Sequence, residues 1–174
     1  MTSLVELFEQ LIHEEWRLET EGNQWVIRET QQTNNPELRI GGCRSLGFSL
    51  DKAGTNPWPF MKSAAPKGIR SACDGIIVAE RENQTVIFAV ELKSGSEGKA
   101  YKQLTSSHYL IDYLCKLLTL HTTWSGEYIF AAIIASTPTR RTVNKRTTVK
   151  DLFPIYPIEN QSVVKLTDLM DKLQ

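Results

Sequence analysis

Three residues of this 174-residue chain have types and spacing that could do chemistry together: Asp74, Glu91 and Lys93. The stretch TVIFAVELK, residues 85–93, reads as a strand. A period of two puts Glu91 and Lys93 on one face, with Leu92 pointing opposite, into a core. Asp74 heads a second apolar run, CDGIIVA, residues 73–79, and a tight hairpin through EREN would set it beside that pair. Charge that ends an apolar strand belongs at the rim of a sheet, where it stays hydrated or binds ions. Two carboxylates there are hard oxygen ligands for Mg²⁺, with waters and a substrate phosphate completing the octahedron. The Leu92 backbone carbonyl is a further candidate ligand. Such an ion would stabilise charge on phosphodiester oxygens and lower the pKa of a bound water. Lys93 would orient that water, stabilise the developing phosphate charge, or act as base if its own pKa were lowered. Its ammonium also limits repulsion between the carboxylates. Glu-x-Lys alone is common on strand surfaces. The functional reading gains weight from an acidic residue heading a separate buried strand, and from the Gly-rich turn and helix that follow.

The elements needed to hold this trio follow from periodicity. Ser3 caps an amphipathic helix, with Glu6 at the capping-box position and Leu4, Leu7, Phe8, Leu11 and Ile12 on one face. That helix fades before Gly22, and QWVIRE then reads as a short strand. Residues 31–70 are punctuated by Asn34-Asn35-Pro36, Gly41-Gly42, Gly54 and the Pro57–Pro59 pair, which predicts loops with one short strand around Leu46–Leu50. Runs 73–79 and 85–93 are apolar on both faces for part of their length, so they take central sheet positions covered by helices. A long helix over about 99–119, a buried strand over 127–136, a short strand near 153–157 and a final helix near 167–173 complete the reading. The order is α–β–loop–β–β–α–β plus smaller elements, an α/β sandwich around a mixed sheet, in one domain spanning 1–174.

Twenty Lys and Arg balance twenty Asp and Glu, a formal net charge of zero that excludes a uniformly basic nucleic-acid coat but not a local basic cleft. Cys43, Cys73 and Cys115 are an odd, widely spaced set, which excludes a complete disulfide framework and offers no zinc spacing. His13, His108 and His121 form no metal spacing, and no P-loop or dinucleotide fingerprint occurs. No signal segment or membrane-length apolar run is visible, and a reducing cytoplasmic compartment is the default expectation.

With the trio and its elements in view, the chain resembles the PD-(D/E)xK nuclease superfamily, the restriction-endonuclease-like fold. Asp74 matches the motif aspartate, Glu91 the second acidic position and Lys93 the lysine, although Cys73 stands where the motif has proline. The likeness runs over residues 3–136 and implies an αβββαβ core with its central mixed sheet flanked by helices, and active-site residues on the central hairpin. It also implies a carboxylate on the first helix reaching the metal, with Glu9 first and Glu6 and Glu15 behind it. Gln103 matches a supporting glutamine on the helix after the motif, with Tyr109 or Tyr113 further along. Cofactor and substrate follow from the same resemblance: Mg²⁺, with Mn²⁺ as substitute, and DNA cut by a homodimer.

Basic residues supply candidate phosphate contacts. The span 39–70 holds Arg39, Arg44, Lys52, Lys62, Lys67 and Arg70 against only Asp51, and it carries Trp58 and Phe60. It reads either as ordinary surface loops or as a polyanion-contacting arm in which an aromatic stacks or wedges. Lys99 and Lys102 follow the motif, and Arg140, Arg141, Lys145 and Arg146 form a second basic run without acidic residues. The expectation is therefore a Mg²⁺-dependent DNA endonuclease of restriction, repair or defence type. The alternatives are RNA cleavage, or a catalytically inactive nucleic-acid-binding or assembly protein of the same fold.

Overall fold

A computed structural model describes residues 2–28, 37–93, 97–124, 126–136, 152–159 and 161–173, with the backbone alone at 93, 97 and 98. The chain opens with α1 (Leu4–Leu11), started by the foreseen capping box: Glu6 N–H donates to Ser3 Oγ at 3.2 Å, and Ser3 N–H donates to the Glu6 carboxylate at 3.1 Å. Leu4, Val5, Leu7 and Phe8 are buried. The helix is shorter than its periodicity suggests. Ile12 turns into extended backbone as the C-cap, which leaves Leu11 exposed.

A short 3₁₀ turn (Glu14–Trp16) leads to β1 (Glu19–Glu21), β2 (Gln24–Arg28), β3 (Glu37–Gly41) and β4 (Arg44–Phe48). After a long loop come β5 (Gly75–Arg81), β6 (Gln84–Lys93), α2 (Glu97–His121), β7 (Ile129–Ser136), β8 (Ile155–Glu159), β9 (Val163–Lys165) and α3 (Leu166–Met170). The strands form two mixed sheets, ordered β4-β5-β6-β7-β8 and β1-β2-β3-β9. In the larger sheet β4, β5 and β6 are antiparallel neighbours, while β6–β7 and β7–β8 are parallel. The parallel β6–β7 pair needs a crossover, and α2 provides it. Arg81 faces Gln84 across a two-residue turn, so the EREN hairpin forms where the sequence put it.

Alternation along β5 and β6 sorts two apolar clusters. Ile76, Val78, Ile87 and Ala89 pack beneath α1 and α2 with Phe8, Leu104 and Ile111. Ile77, Phe88, Val90 and Leu92 point the other way, onto Ile27, Leu38, Ile40, Leu169 and Met170. One face of the larger sheet is thus covered by α1 and α2. The other face is covered by the smaller sheet together with the short α3, where helices alone had been expected. The sequence reading lacked that second sheet because β1, β3 and β9 span three to five residues each, too short for a periodic signal. Glycine set the misreading at β3. Gly41-Gly42 suggests an open loop, yet Gly42, at φ +112°, turns the corner that carries the chain from one sheet into the other. Among the described residues no helix is long and apolar enough to cross a membrane, and all three cysteines are free thiols.

Close approach of the two sheets depends on Gly47. A Cβ there would meet the Trp25 ring at 2.7 and 2.9 Å, and that indole is anchored by donating to Ser45 Oγ at 3.0 Å. Gly47→Ala should lower stability by about 1–3 kcal/mol, the usual cost of overpacking. A urea titration checks this: the midpoint falls while the slope stays unchanged.

Candidate active site

The end of the β5–β6 hairpin opposite its tight turn gathers the carboxylates. Gly75 pairs with Val90 as the last rung. One residue earlier, the Asp74 side chain takes over from the ladder, its Oδ2 accepting the Leu92 N–H at 2.6 Å. Helix α2 clamps the same segment: Gln103 Nε2 donates to the Ala72 carbonyl at 3.0 Å, and Ser107 Oγ accepts the Cys73 N–H at 3.1 Å. Gln103 and Ser107 are one helical turn apart and therefore share a face. Three consecutive residues, 72 to 74, are each held by a group from β6 or α2.

Glu91 is buried on the helix-covered face of β6, with 8% of its surface exposed. Burial, then the neighbouring Asp74 charge, push its carboxyl up to about 8. A backbone N–H of Asp74 partly opposes this, Asp51 raises it further and Lys99 lowers it. Its Oε2 is buried and meets no hydrogen-bond donor among the described residues, and the same holds for Gln103 Oε1. A buried carboxylate oxygen without a donor, beside a second carboxylate, is a costly arrangement that a cation would relieve. Among the described residues no group of three or more His, Cys, Asp or Glu side chains is arranged to hold a metal. Two carboxylates and a backbone carbonyl are nevertheless a sufficient protein donor set for Mg²⁺, which keeps several waters. The residues at this corner fit that ion.

The expected residues divide accordingly. Asp74, Glu91 and Gln103 come together, and Leu92 packs its side chain into the opposite cluster as its position in the strand requires. Lys93 ends β6 two residues after Glu91, and its side chain lies outside the described residues. Lys99 is exposed on the first turns of α2 and near enough to influence Glu91, and Lys102 is exposed one turn on. Lys67 and Arg70 lie on the loop that returns to Ala72, both exposed. Arg140, Arg141, Lys145 and Arg146 lie outside the described residues.

Glu9, in the last turn of α1, is not among the charges that shift Glu91. It is exposed and neighbours Arg44, whose charge it supports. Arg44 pairs in register with Glu80, six residues along from Asp74, a separation of about 20 Å at ~3.3 Å per residue. Arg44 is itself bound to Glu6 at 2.8 Å, and this bond holds the Glu6 carboxyl below its usual range. Capping and ion pairing occupy the N-terminal end of α1, so Arg44 lies away from the carboxylate corner. Two residues that the motif reading did not select do belong. Asp51 was visible only as the lone acid of a basic span, and Ser107 only as the residue one turn after Gln103.

Nucleophilic alternatives are weak here. The Cys73 thiol donates to the Gly75 carbonyl at 3.2 Å and is pushed up to about 12 by burial, so it carries no thiolate. A hollow lined by Cys115, Lys116, Trp124 and Tyr128 lies at the far end of α2 and shares no residue with the corner. Compared with family models, with curated proteins and with solved structures, the chain matches none.

The raised carboxyl of Glu91 fixes a sign for pH. A folded value above the unfolded one means that the folded state binds the extra proton, so its contribution is present below about 4.5 and lost as pH rises through about 8. Without divalent metal, the wild type should lose stability relative to Glu91→Gln between pH 5 and 9. Parallel urea titrations of the two proteins across that range check it.

Proposed function

We propose that the Asp74–Glu91 corner binds Mg²⁺ and that the protein hydrolyses phosphodiester bonds as a DNA endonuclease of the PD-(D/E)xK kind. The observation that carries this reading is the buried Glu91 carboxylate, one oxygen without a donor, set against Asp74 at the open end of a hairpin. A carboxyl whose ionisation is opposed by burial and by a neighbouring negative charge is unfavourable for the fold once ionised, and such groups cluster at functional sites. The run α1, β4, β5, β6, α2, β7 supports an αβββαβ core, with the four-stranded sheet as an addition to it.

Bound Mg²⁺, or Mn²⁺ in its place, would supply Lewis-acid stabilisation of phosphodiester charge and a water of lowered pKa. Asp74 and Glu91 hold the ion through carboxylate oxygens, and Leu92 through its carbonyl. Lys93 orients the attacking water, offsets charge on the phosphate or acts as base. Gln103 is a positioning residue: its amide nitrogen fixes the backbone at Ala72, and its buried Oε1 is the acceptor for a ligand water. With Cys73 protonated and Ser107 already an acceptor, direct attack by water fits better than a covalent intermediate. Lys67, Arg70, Lys99 and Lys102 meet backbone phosphates. One site per chain and two strands to cut make a C2 homodimer part of the proposal.

Supercoiled plasmid, linear duplex, branched DNA and single-stranded RNA, each with Mg²⁺, Mn²⁺ or EDTA, test this reading. The wild type should nick DNA only with metal, and Glu91→Ala and Lys93→Ala should each lose about a hundredfold or more. Binding without cleavage on every substrate would favour an assembly role, and cleavage of RNA alone would move the substrate class.

A further inference from the structure

The loop between β4 and β5 starts and ends beside the carboxylate corner. Asp51, at its start, is near enough to raise the Glu91 carboxyl, and Ala72 and Cys73, at its end, are the residues clamped by α2. Loops of this length without helix or strand are uncommon in compact domains and are usually either functional or slack linkers. It is nonetheless built, not slack. Successive turns close through Thr55 N–H to Lys52 O, Met61 N–H to Trp58 O, Ala65 N–H to Lys62 O and Ile69 N–H to Pro66 O, at 3.0–3.1 Å.

Charge and exposure on this loop are one-sided. From 52 to 73 there is no acidic residue, while Lys52, Lys62, Lys67 and Arg70 are all exposed. Elsewhere the basic residues of the wider span are neutralised: Arg39 by Glu21 and Glu37, Arg44 by Glu6. Lys62, Lys67 and Arg70 have no acidic partner among the described residues. On the same loop, two residues before Lys62, Phe60 is 76% exposed, its ring set edge-on to Trp58 at 6.2 Å and 87°. The Trp58 indole nitrogen is buried, so Trp58 packs into the loop and braces a phenyl ring that projects from it. Ile69, also exposed, lies in the segment between Lys67 and Arg70.

We infer that this loop is a binding platform for an unpaired nucleotide strand entering the carboxylate corner, with Phe60 stacking on a base and Lys62, Lys67 and Arg70 meeting phosphates. This rests on the nucleic-acid reading of that corner and narrows it to DNA with single-stranded character at the cut, such as a fork, flap or junction. The argument is complementarity. An exposed aromatic face serves any base but needs that base unstacked, whereas phosphate contacts alone do not distinguish duplex from single strand. A rigid ring amid uncompensated cations is the combination a single strand uses and an intact duplex does not.

Fluorescence of 2-aminopurine placed in a short oligonucleotide tests this, with EDTA present so that no cleavage occurs. The single strand, a splayed fork and the fully paired duplex are compared on wild type, Phe60→Ala, Phe60→Trp and Lys62→Ala/Lys67→Ala. Phe60 is largely exposed, so its replacement leaves the core intact. The wild type should bind single strand and fork more tightly than duplex and quench the probe. Phe60→Ala should weaken single-strand binding about tenfold, lose the quench and leave duplex binding unchanged, with Phe60→Trp restoring both. The double lysine variant should reduce the salt slope by about 1.4. Equal loss on all three substrates, no effect of Phe60→Ala, or tighter binding to duplex would overturn the inference. Adding Mg²⁺ to the same wild-type samples judges the nuclease reading separately, by whether the strand is cut.

Discussion

The Asp74 side chain accepts the Leu92 N–H at 2.6 Å, one rung beyond the point where the β5–β6 ladder stops. Without it the strands would part at Gly75 and Val90. A charged acceptor on a backbone donor is among the stronger neutral-to-ion hydrogen bonds, worth about 1.5–3 kcal/mol. Gln103 and Ser107 complete the restraint from α2. The position of Glu91 relative to Asp74, the point of return of the long loop and the seating of the first turns of α2 all depend on this junction.

What the junction positions is unfavourable on its own terms. Glu91 gives up water on the helix-covered face of β6 and meets a like charge, with one oxygen left without a donor. A leucine there would pack against Leu104 and its neighbours at no electrostatic cost. The surrounding elements are stable enough to hold the carboxylate in place: β5 and β6 are central strands with both faces buried, and α2 extends for 25 residues from Glu97 to His121. Local frustration inside a rigid frame is what a preorganised ion site requires, because the ligands do not have to be assembled when the ion arrives.

The sequence made the central hairpin and α2 legible because their signals are long. Seven and ten apolar-rich residues in β5 and β6, and an apolar helical side carrying Leu104, Ile111 and Cys115, cannot be placed otherwise without exposing them. Asp74 and Glu91 were legible for the same reason, one heading such a strand and the other in fixed phase near the end of the next, whereas Gln103 was picked out by the resemblance alone. The smaller sheet was not. β1 is three exposed residues paired to β2 across a two-residue turn and by an ion network in which Arg28 meets Glu19, Glu21 and Glu37, so no apolar alternation marks it. The place of Asp51 beside Glu91 shares that origin. Which carboxylate lies near Glu91 depends on the path of a loop and on which end of α1 meets Glu80, where Val5 N–H donates to the Glu80 carboxylate at 3.2 Å. No periodicity encodes either fact.

The central claim is that Asp74 and Glu91 together hold one divalent cation. Titration of Mn²⁺ into the protein, followed by electron paramagnetic resonance of the free ion, measures this without any substrate. The account predicts one site per chain that Mg²⁺ competes for, lost in both Asp74→Asn and Glu91→Gln while each variant keeps its folded spectrum. Unchanged Mn²⁺ uptake in the two variants, or none in the wild type, would contradict it.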